Sequence, residues 1–107
     1  MGKKESYIKL DKDFLNWRWF KNRNTFIVYM YLLASANLTT ETSFGETVER
    51  GSILIRNSNI ASDCGLTVQN VRTALANLVK SNDITREYRN HYQIITITNF
   101  DSRIIDR

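Results

Sequence analysis

The stretch NIASDCGLTVQNVRTALANL, Asn59 to Leu78, decides the fold. It reads as two short helices joined by a tight turn, over about 58–64 and 68–80. A helix-turn-helix makes demands position by position. Its helices cross steeply, so a small residue is needed where they touch, and Ala61 stands there. The turn needs a residue that tolerates positive φ, which Gly65 supplies. Ile60, Cys64, Leu66, Val71 and Ala74 fall on inward positions, and Leu75, Leu78 and Val79 continue the apolar stripe at helical spacing. Thr67 is placed to cap the second helix by accepting from the amide of Gln69 or Asn70. Asn82 is placed to end it in a left-handed conformation.

The outward face of the second helix carries Gln69, Asn70, Arg72, Thr73, Ala76, Asn77 and Lys80, and no acidic residue occurs from Gly65 to Asn82. A helix that only faces solvent usually mixes both signs. In a DNA-reading helix the N-terminal end enters the major groove, and Gln69, Asn70, Arg72 and Thr73 gather there. Asn and Gln can pair bidentately with adenine and Arg with guanine. Thr67 and Thr73 are placed for phosphate or a thymine methyl, with Asn77 and Lys80 further along. The bland reading of the same face is a solvated surface or a protein-docking surface.

Downstream, ITREY and YQIITIT read as a β-hairpin with Asn90 at its tip. Arg86, Arg89, Asn90 and His91 gather near that tip, where they could follow a phosphate backbone or a minor groove. Ile95 and Ile97 are expected in the core, while Tyr92, Ile94 and Thr96 face the other way; Ile94 there implies that something covers the second face. Upstream, Ile53–Ile55 reads as a third strand, and 38–52, polar with two glycines, as a loop or hairpin. TFIVYMYLLASAN is apolar nearly all round, the pattern of a central buried helix or of one that meets a second copy, with Asn24 as its expected N-cap. Asp11 or Asp13 is expected to cap a short helix carrying Phe14, Leu15 and Trp17. Tyr7–Leu10 alternates like an edge strand. The fold class is therefore α+β, mainly α: a winged helix-turn-helix with a short three-stranded antiparallel sheet, spanning 7–101 between an N-terminal arm (1–6) and a C-terminal tail (102–107).

At 107 residues, with 42% hydrophobic and 24% charged residues, the chain suits one globular domain. Its longest apolar run is too short to span a bilayer, and its start lacks a signal-peptide pattern. The single cysteine excludes an intrachain disulfide and a cysteine zinc cluster, which points to the cytoplasm. The net charge of +4 leans toward anionic partners. Residues 50–107 hold 8 Lys/Arg against 5 Asp/Glu, so the excess lies in the half containing the two-helix motif. No phosphate-binding glycine loop, metal-ligand spacing or nucleophile elbow occurs, and His91 is the only histidine. Asp11 and Asp13 would lie on different faces of a helix. Cys64, inward and without a cationic neighbour, is expected to be inert. Neither catalysis, a cofactor nor a metal is expected.

One resemblance extends beyond the two-helix motif. Y-I-K-L at Tyr7–Leu10, W-R-W at Trp17–Trp19, N-T-F at Asn24–Phe26, R-G at Arg50-Gly51, G-L-T-V-Q-N-V-R-T-A-L-A-N-L at Gly65–Leu78 and I-I-T-I-T-N-F-D at Ile94–Asp101 occur in order. The chain in this respect resembles the N-terminal domain of phage replisome organisers and DnaD-like replication-initiation proteins, over about 7–101. The long recognition-helix pattern is shared with many transcriptional regulators; the flanking segments are more specific. The resemblance implies a DNA-associated module of replication initiation in a phage, plasmid or other mobile element of Gram-positive-type bacteria. It would bind double-stranded origin DNA or self-associate, while a further domain recruits replication proteins. Asn82 stands where that pattern usually has glycine, and the hairpin turn lacks one. No downstream replication domain follows in this sequence, so either it was cut at a domain boundary or the protein is short and stands alone. The alternatives are a transcriptional regulator of the same fold and an oligomerisation or docking module. The aromatics Trp17, Trp19, Phe20, Tyr29 and Tyr31 favour the docking module if exposed, and simple core packing if not.

Overall fold

Strand and helix boundaries in the central motif follow from local chemistry. In the computed structural model, which describes residues 5–106, helix α2 spans Asn57–Cys64 and helix α3 spans Val68–Lys80. Gly65 between them sits at φ +69°, and the Leu66 amide donates to the Ala61 carbonyl at 2.9 Å. The Asn70 amide donates to Thr67 Oγ1 at 3.0 Å, while Asn70 Oδ1 accepts from the Thr67 amide at 3.3 Å. This reciprocal capping box satisfies amides that a helix start leaves unpaired. At the far end Asn82, at φ +62°, closes α3 as expected. The Asn82 amide donates to Val79 O at 3.0 Å and that of Asp83 to Leu78 O at 2.9 Å, a Schellman pattern. Ile60, Ala61, Val71, Ala74, Leu75 and Leu78 are buried. Val79, expected inward, is 40% exposed: one residue past Leu78, it has rotated off the stripe.

Helix α1, Arg23–Ser35, is the central element, with Val28, Tyr29, Leu32 and Leu33 buried in the same core as α2 and α3. Its cap is Asn22 rather than Asn24: Asn22 Oδ1 accepts from the Thr25 amide at 3.2 Å. Both asparagines have capping chemistry, and Asn22 takes the role by reaching the amide three residues on. Thr25 is fully buried, and its Oγ1 accepts from Asn77 Nδ2 at 3.1 Å. A polar pair thus joins α1 to α3 inside the domain.

Strands β4 (Ser52–Ile55), β5 (Ile84–Arg89) and β6 (Tyr92–Ile97) form an antiparallel sheet in the order β4-β6-β5. Ile53 lies opposite Ile95, and Ile84 opposite Ile97. Ile55, Ile84, Ile95 and Ile97 are buried in the core shared with the helices. The other face is covered as Ile94 foreshadowed. Strands β2 (Glu41–Ser43) and β3 (Glu46–Val48) form a hairpin whose Phe44 ring stacks on Tyr92, with centroids 5.0 Å apart. Glu46 ion-pairs with Arg89 at 3.2 Å. Val48 and Ile94 are buried outside the main core cluster. Phe44 and Gly45 form the two-residue turn, both at positive φ (+50° and +77°). That pattern suits asparagine-glycine, and a left-handed conformation costs an ordinary residue roughly 1–2 kcal/mol.

The first and last described segments pair with each other. Strand β1 (Ser6–Ile8) pairs antiparallel with β7 (Ile104–Asp106), preceded by the short helix α4 (Phe100–Arg103). Phe100 and Ile104 join the core, so the segment expected as a tail from 102 onward is part of the folded body. Of the expected arm, residues 1–4 lie outside the described residues, and Ser6 already belongs to β1. Arg50 holds the closure: it donates to Leu38 O at 2.8 Å and ion-pairs with Asp101 and Asp106, both at 2.9 Å. Gly51 is required beside it, because a Cβ there would lie 2.9 Å from Phe100 Cβ, and its φ is +81°. The segment after β1 forms a single 3-10 helix, Lys12–Asn16, with no side-chain cap from Asp11. It buries Phe14 and leaves Leu15 65% exposed.

The described residues thus form an α+β domain of four α-helices and antiparallel sheets.

Candidate nucleic-acid interface

The polar residues of α3 divide by what their side chains already do. Thr67, Gln69, Arg72, Thr73 and Lys80 are exposed on one surface. Gln69 and Thr73 are linked only by a long 3.5 Å contact, which water can readily replace. Neither Arg72 nor Lys80 has a carboxylate partner among the described residues. Asn70 is half-buried, with Oδ1 held by Thr67 Oγ1 at 2.7 Å as well as by the cap amide. Its oxygen is free for a base edge only if the cap opens. Asn77 does not belong to this surface, because its amide points at Thr25 of α1.

The hairpin β5–β6 departs further from expectation. The Arg89 guanidinium lies 3.2 Å from both Glu46 and Glu87, which hold its pKa above the ordinary arginine value through hydrogen bonds, Glu87 first. It is a neutralised cation and not the free one the sequence suggested. Arg86 donates to Gln93 Oε1 at 2.8 Å and lies over the Tyr88 ring, 5.2 Å from its centroid, without a carboxylate partner. Asn90, at φ +47°, and His91 are exposed at the turn.

Four residues that the sequence reading passed over stand beside that turn. Arg56, the residue before α2, lies 4.5 Å over the Tyr92 ring and lacks a carboxylate partner among the described residues. Asn57 accepts a short hydrogen bond from buried Gln93. Tyr88 is 70% and Phe44 76% exposed. Arg56, Asn57, Tyr88, Asn90, His91 and Tyr92 line a cleft of about 160 Å³ between the start of α2 and the hairpin turn. The sheet register carried a usable signal: Ile55 pairs with Gln93, so Arg56 falls beside Tyr92.

A second group of cations sits at the other end of α3. Trp19 Nε1 donates to Ser81 Oγ at 2.8 Å, and Trp17 Nε1 to Asp83 Oδ2 at 3.2 Å. These bonds dock the segment carrying Arg18, Lys21 and Arg23 against Ser81 and Asp83, just past the end of α3. Trp17 and Trp19 are half-buried and Tyr29 is buried, so these aromatics are used mainly for packing; Phe20 is 37% exposed.

Cys64 is half-buried, and burial followed by the Asp63 charge pushes its thiol pKa up, which lowers its reactivity. Tyr31 donates to Asp63 at 2.6 Å, tying α1 to α2. Burial, with the Asp63 bond second, raises that phenol to about 12. Among the described residues no group of three His, Cys, Asp or Glu is placed to hold a metal, and no helix is long and apolar enough to cross a membrane. Comparison with family models, curated proteins and solved structures returned no match.

Proposed function

We propose that the chain is a duplex-DNA-binding winged-helix module, with α2 and α3 as its helix-turn-helix and β5–β6 as its wing. The observation that carries this reading is the α3 face. Gln69, Arg72 and Thr73 are exposed together near its start, and no acidic residue interrupts 65–82. Inserted in a major groove, Arg72 and Gln69 would meet base edges. Lys80, with Arg18, Lys21 and Arg23 near the far end of α3, would meet phosphate. Arg56 and His91 offer phosphate contacts beside the wing. A role in replication initiation for a phage or other mobile element is supported by the segments that carry the resemblance. They include Y-I-K-L, which overlaps β1, and I-I-T-I-T-N-F, which completes β6 and starts α4.

The test is titration of a labelled duplex at several salt concentrations. Wild type should bind with strong salt dependence. Arg72→Ala should weaken binding by about 1–3 kcal/mol if it reads a base, or lower the salt slope by about 0.9 if it contacts phosphate. No binding at low salt, or binding indifferent to Arg72, would sink the reading. Mapping the bound site to an origin or to a promoter distinguishes a replication role from a transcriptional use of the same face.

A further inference from the structure

The wing tip carries more aromatic surface than duplex binding through α3 requires. Phe44 and Tyr88 are both largely exposed, at 76% and 70%. They lie on opposite faces of the β5–β6 hairpin. Tyr88 pairs in register with Gln93, on the face toward α2, while Phe44 stacks on Tyr92, which pairs with Arg89 on the other face. The Asn90-His91 turn thus has an open ring on either side. The Phe44–Tyr92 stack is near parallel, with an interplanar angle of 24°, and Arg56 adds a cation over Tyr92. Arg86 does the same over Tyr88. Glu46 and Glu87 are both engaged by Arg89, which leaves Arg56 and Arg86 as cations without carboxylate partners among the described residues. On the Tyr88 side, the cleft presents Asn90 and His91, which can donate to or accept from a base edge, and Asn57, whose Oδ1 already accepts from Gln93.

We propose that this composite tip is a stacking site for unpaired bases of single-stranded DNA, distinct from the duplex-reading face of α3. The inference builds on the nucleic-acid reading and adds a second class of DNA to it. Open aromatic faces bracketed by unneutralised arginines match the two things a single strand offers, base π-faces and phosphates. An aromatic at the left-handed first position of the β2–β3 turn is also the opposite of what turn stability favours. Asparagine followed by Gly45 would suit that turn better, so removing the ring need not harm the fold.

Anisotropy titrations of the full chain test this with oligo-dT, an abasic strand of equal length and a duplex of equal length. Wild type should prefer oligo-dT to the abasic strand. Phe44→Asn and Tyr88→Ala should each weaken oligo-dT binding by about five- to a hundredfold, while duplex and abasic binding stay unchanged. Phe44→Asn should melt no lower than wild type. Arg72→Ala should do the reverse, weakening the duplex and keeping the preference for bases. Equal binding of oligo-dT and the abasic strand by wild type would overturn the proposal. So would dissociation of a dimer in sedimentation by either tip substitution with oligo-dT binding intact, since the tip would then join copies of the chain. Duplex binding that depends on Arg72, without oligo-dT binding, removes this inference alone; binding of neither removes both.

Discussion

Arg72 on α3 and Arg89 on the β5–β6 hairpin are both arginines on the expected contact surface, yet their electrostatic states are opposite. Arg72 projects from α3 without a carboxylate partner among the described residues, while Arg89 is clasped by Glu46 and Glu87. The contrast comes from architecture. Among the described residues, no ion pair neutralises the exposed cations of α3. The hairpin tip is overlaid by β2–β3, which brings its own acid. A count of positive residues therefore overstates the hairpin and describes α3 fairly.

The contrast can be probed from its scaffold outward. Leu75 is fully buried beneath the Arg72 surface. Leu75→Ala should cost about 2–5 kcal/mol in denaturant unfolding, because the cavity opens in a packed core. A loss below about 1 kcal/mol would mean α3 is not held as described. Next in size is the arginine pair itself. Arg72→Ala should weaken duplex binding clearly more than Arg89→Ala, whose charge is already compensated. Equal losses in a salt titration would mean that DNA pulls Arg89 away from its acids. Smaller still, Glu46→Gln should release part of Arg89 and raise duplex affinity by a few tenths to about 1 kcal/mol, the range for an exposed pair. No gain would place the hairpin outside the DNA footprint.

The smallest effect concerns Tyr31, which braces α1 against α2 through Asp63. Its pKa is raised to about 12 in the fold. The protonated phenol is therefore the form that the fold favours. Its contribution is complete below the unfolded tyrosine value near 10 and is lost as pH rises through about 12. Tyr7 and Tyr29 are raised as well, so tyrosinate absorbance should show several late-titrating phenols, of which Tyr31→Phe removes one near pH 12. A titration unaltered in that range would break the assignment.

Features written in neighbouring residues were legible in the sequence. Gly65, Thr67 and Asn82 each act within a turn of their own position, so the ends of α3 could be read directly. The sheet strands followed from runs of isoleucine. Features set by distant partners were not legible. Asn77 lies at the margin of the apolar stripe, and only the position of Thr25, 52 residues earlier, turns it inward. Arg89 is held by Glu87, two residues away, and also by Glu46 from 43 residues away, and only the second partner was out of reach. The β2–β3 turn was obscured because phenylalanine stands where turn chemistry asks for asparagine. The helix start at Asn22 instead of Asn24 shows a different limit: two equivalent caps compete, and the packing of α1 decides. Within the candidate interface, helical spacing was enough to read the exposure of Gln69, Arg72, Thr73 and Lys80, whereas the placement of Arg56, Tyr88 and Phe44 needed the register.

The pairing of β1 with β7 sets Ser6 directly opposite Asp106. Opposed antiparallel residues lie about 5 Å apart, within reach of a very short linker. The described chain is thus nearly a closed ring in space. Joining these two positions and cutting between Asn90 and His91 would give a circular permutant with new ends at the β5–β6 turn. The strand pairings would be kept in register, and only the continuity of that turn would be lost. Anything tethered beyond Ser6 or beyond Asp106 would therefore leave the described domain from the same two-stranded edge.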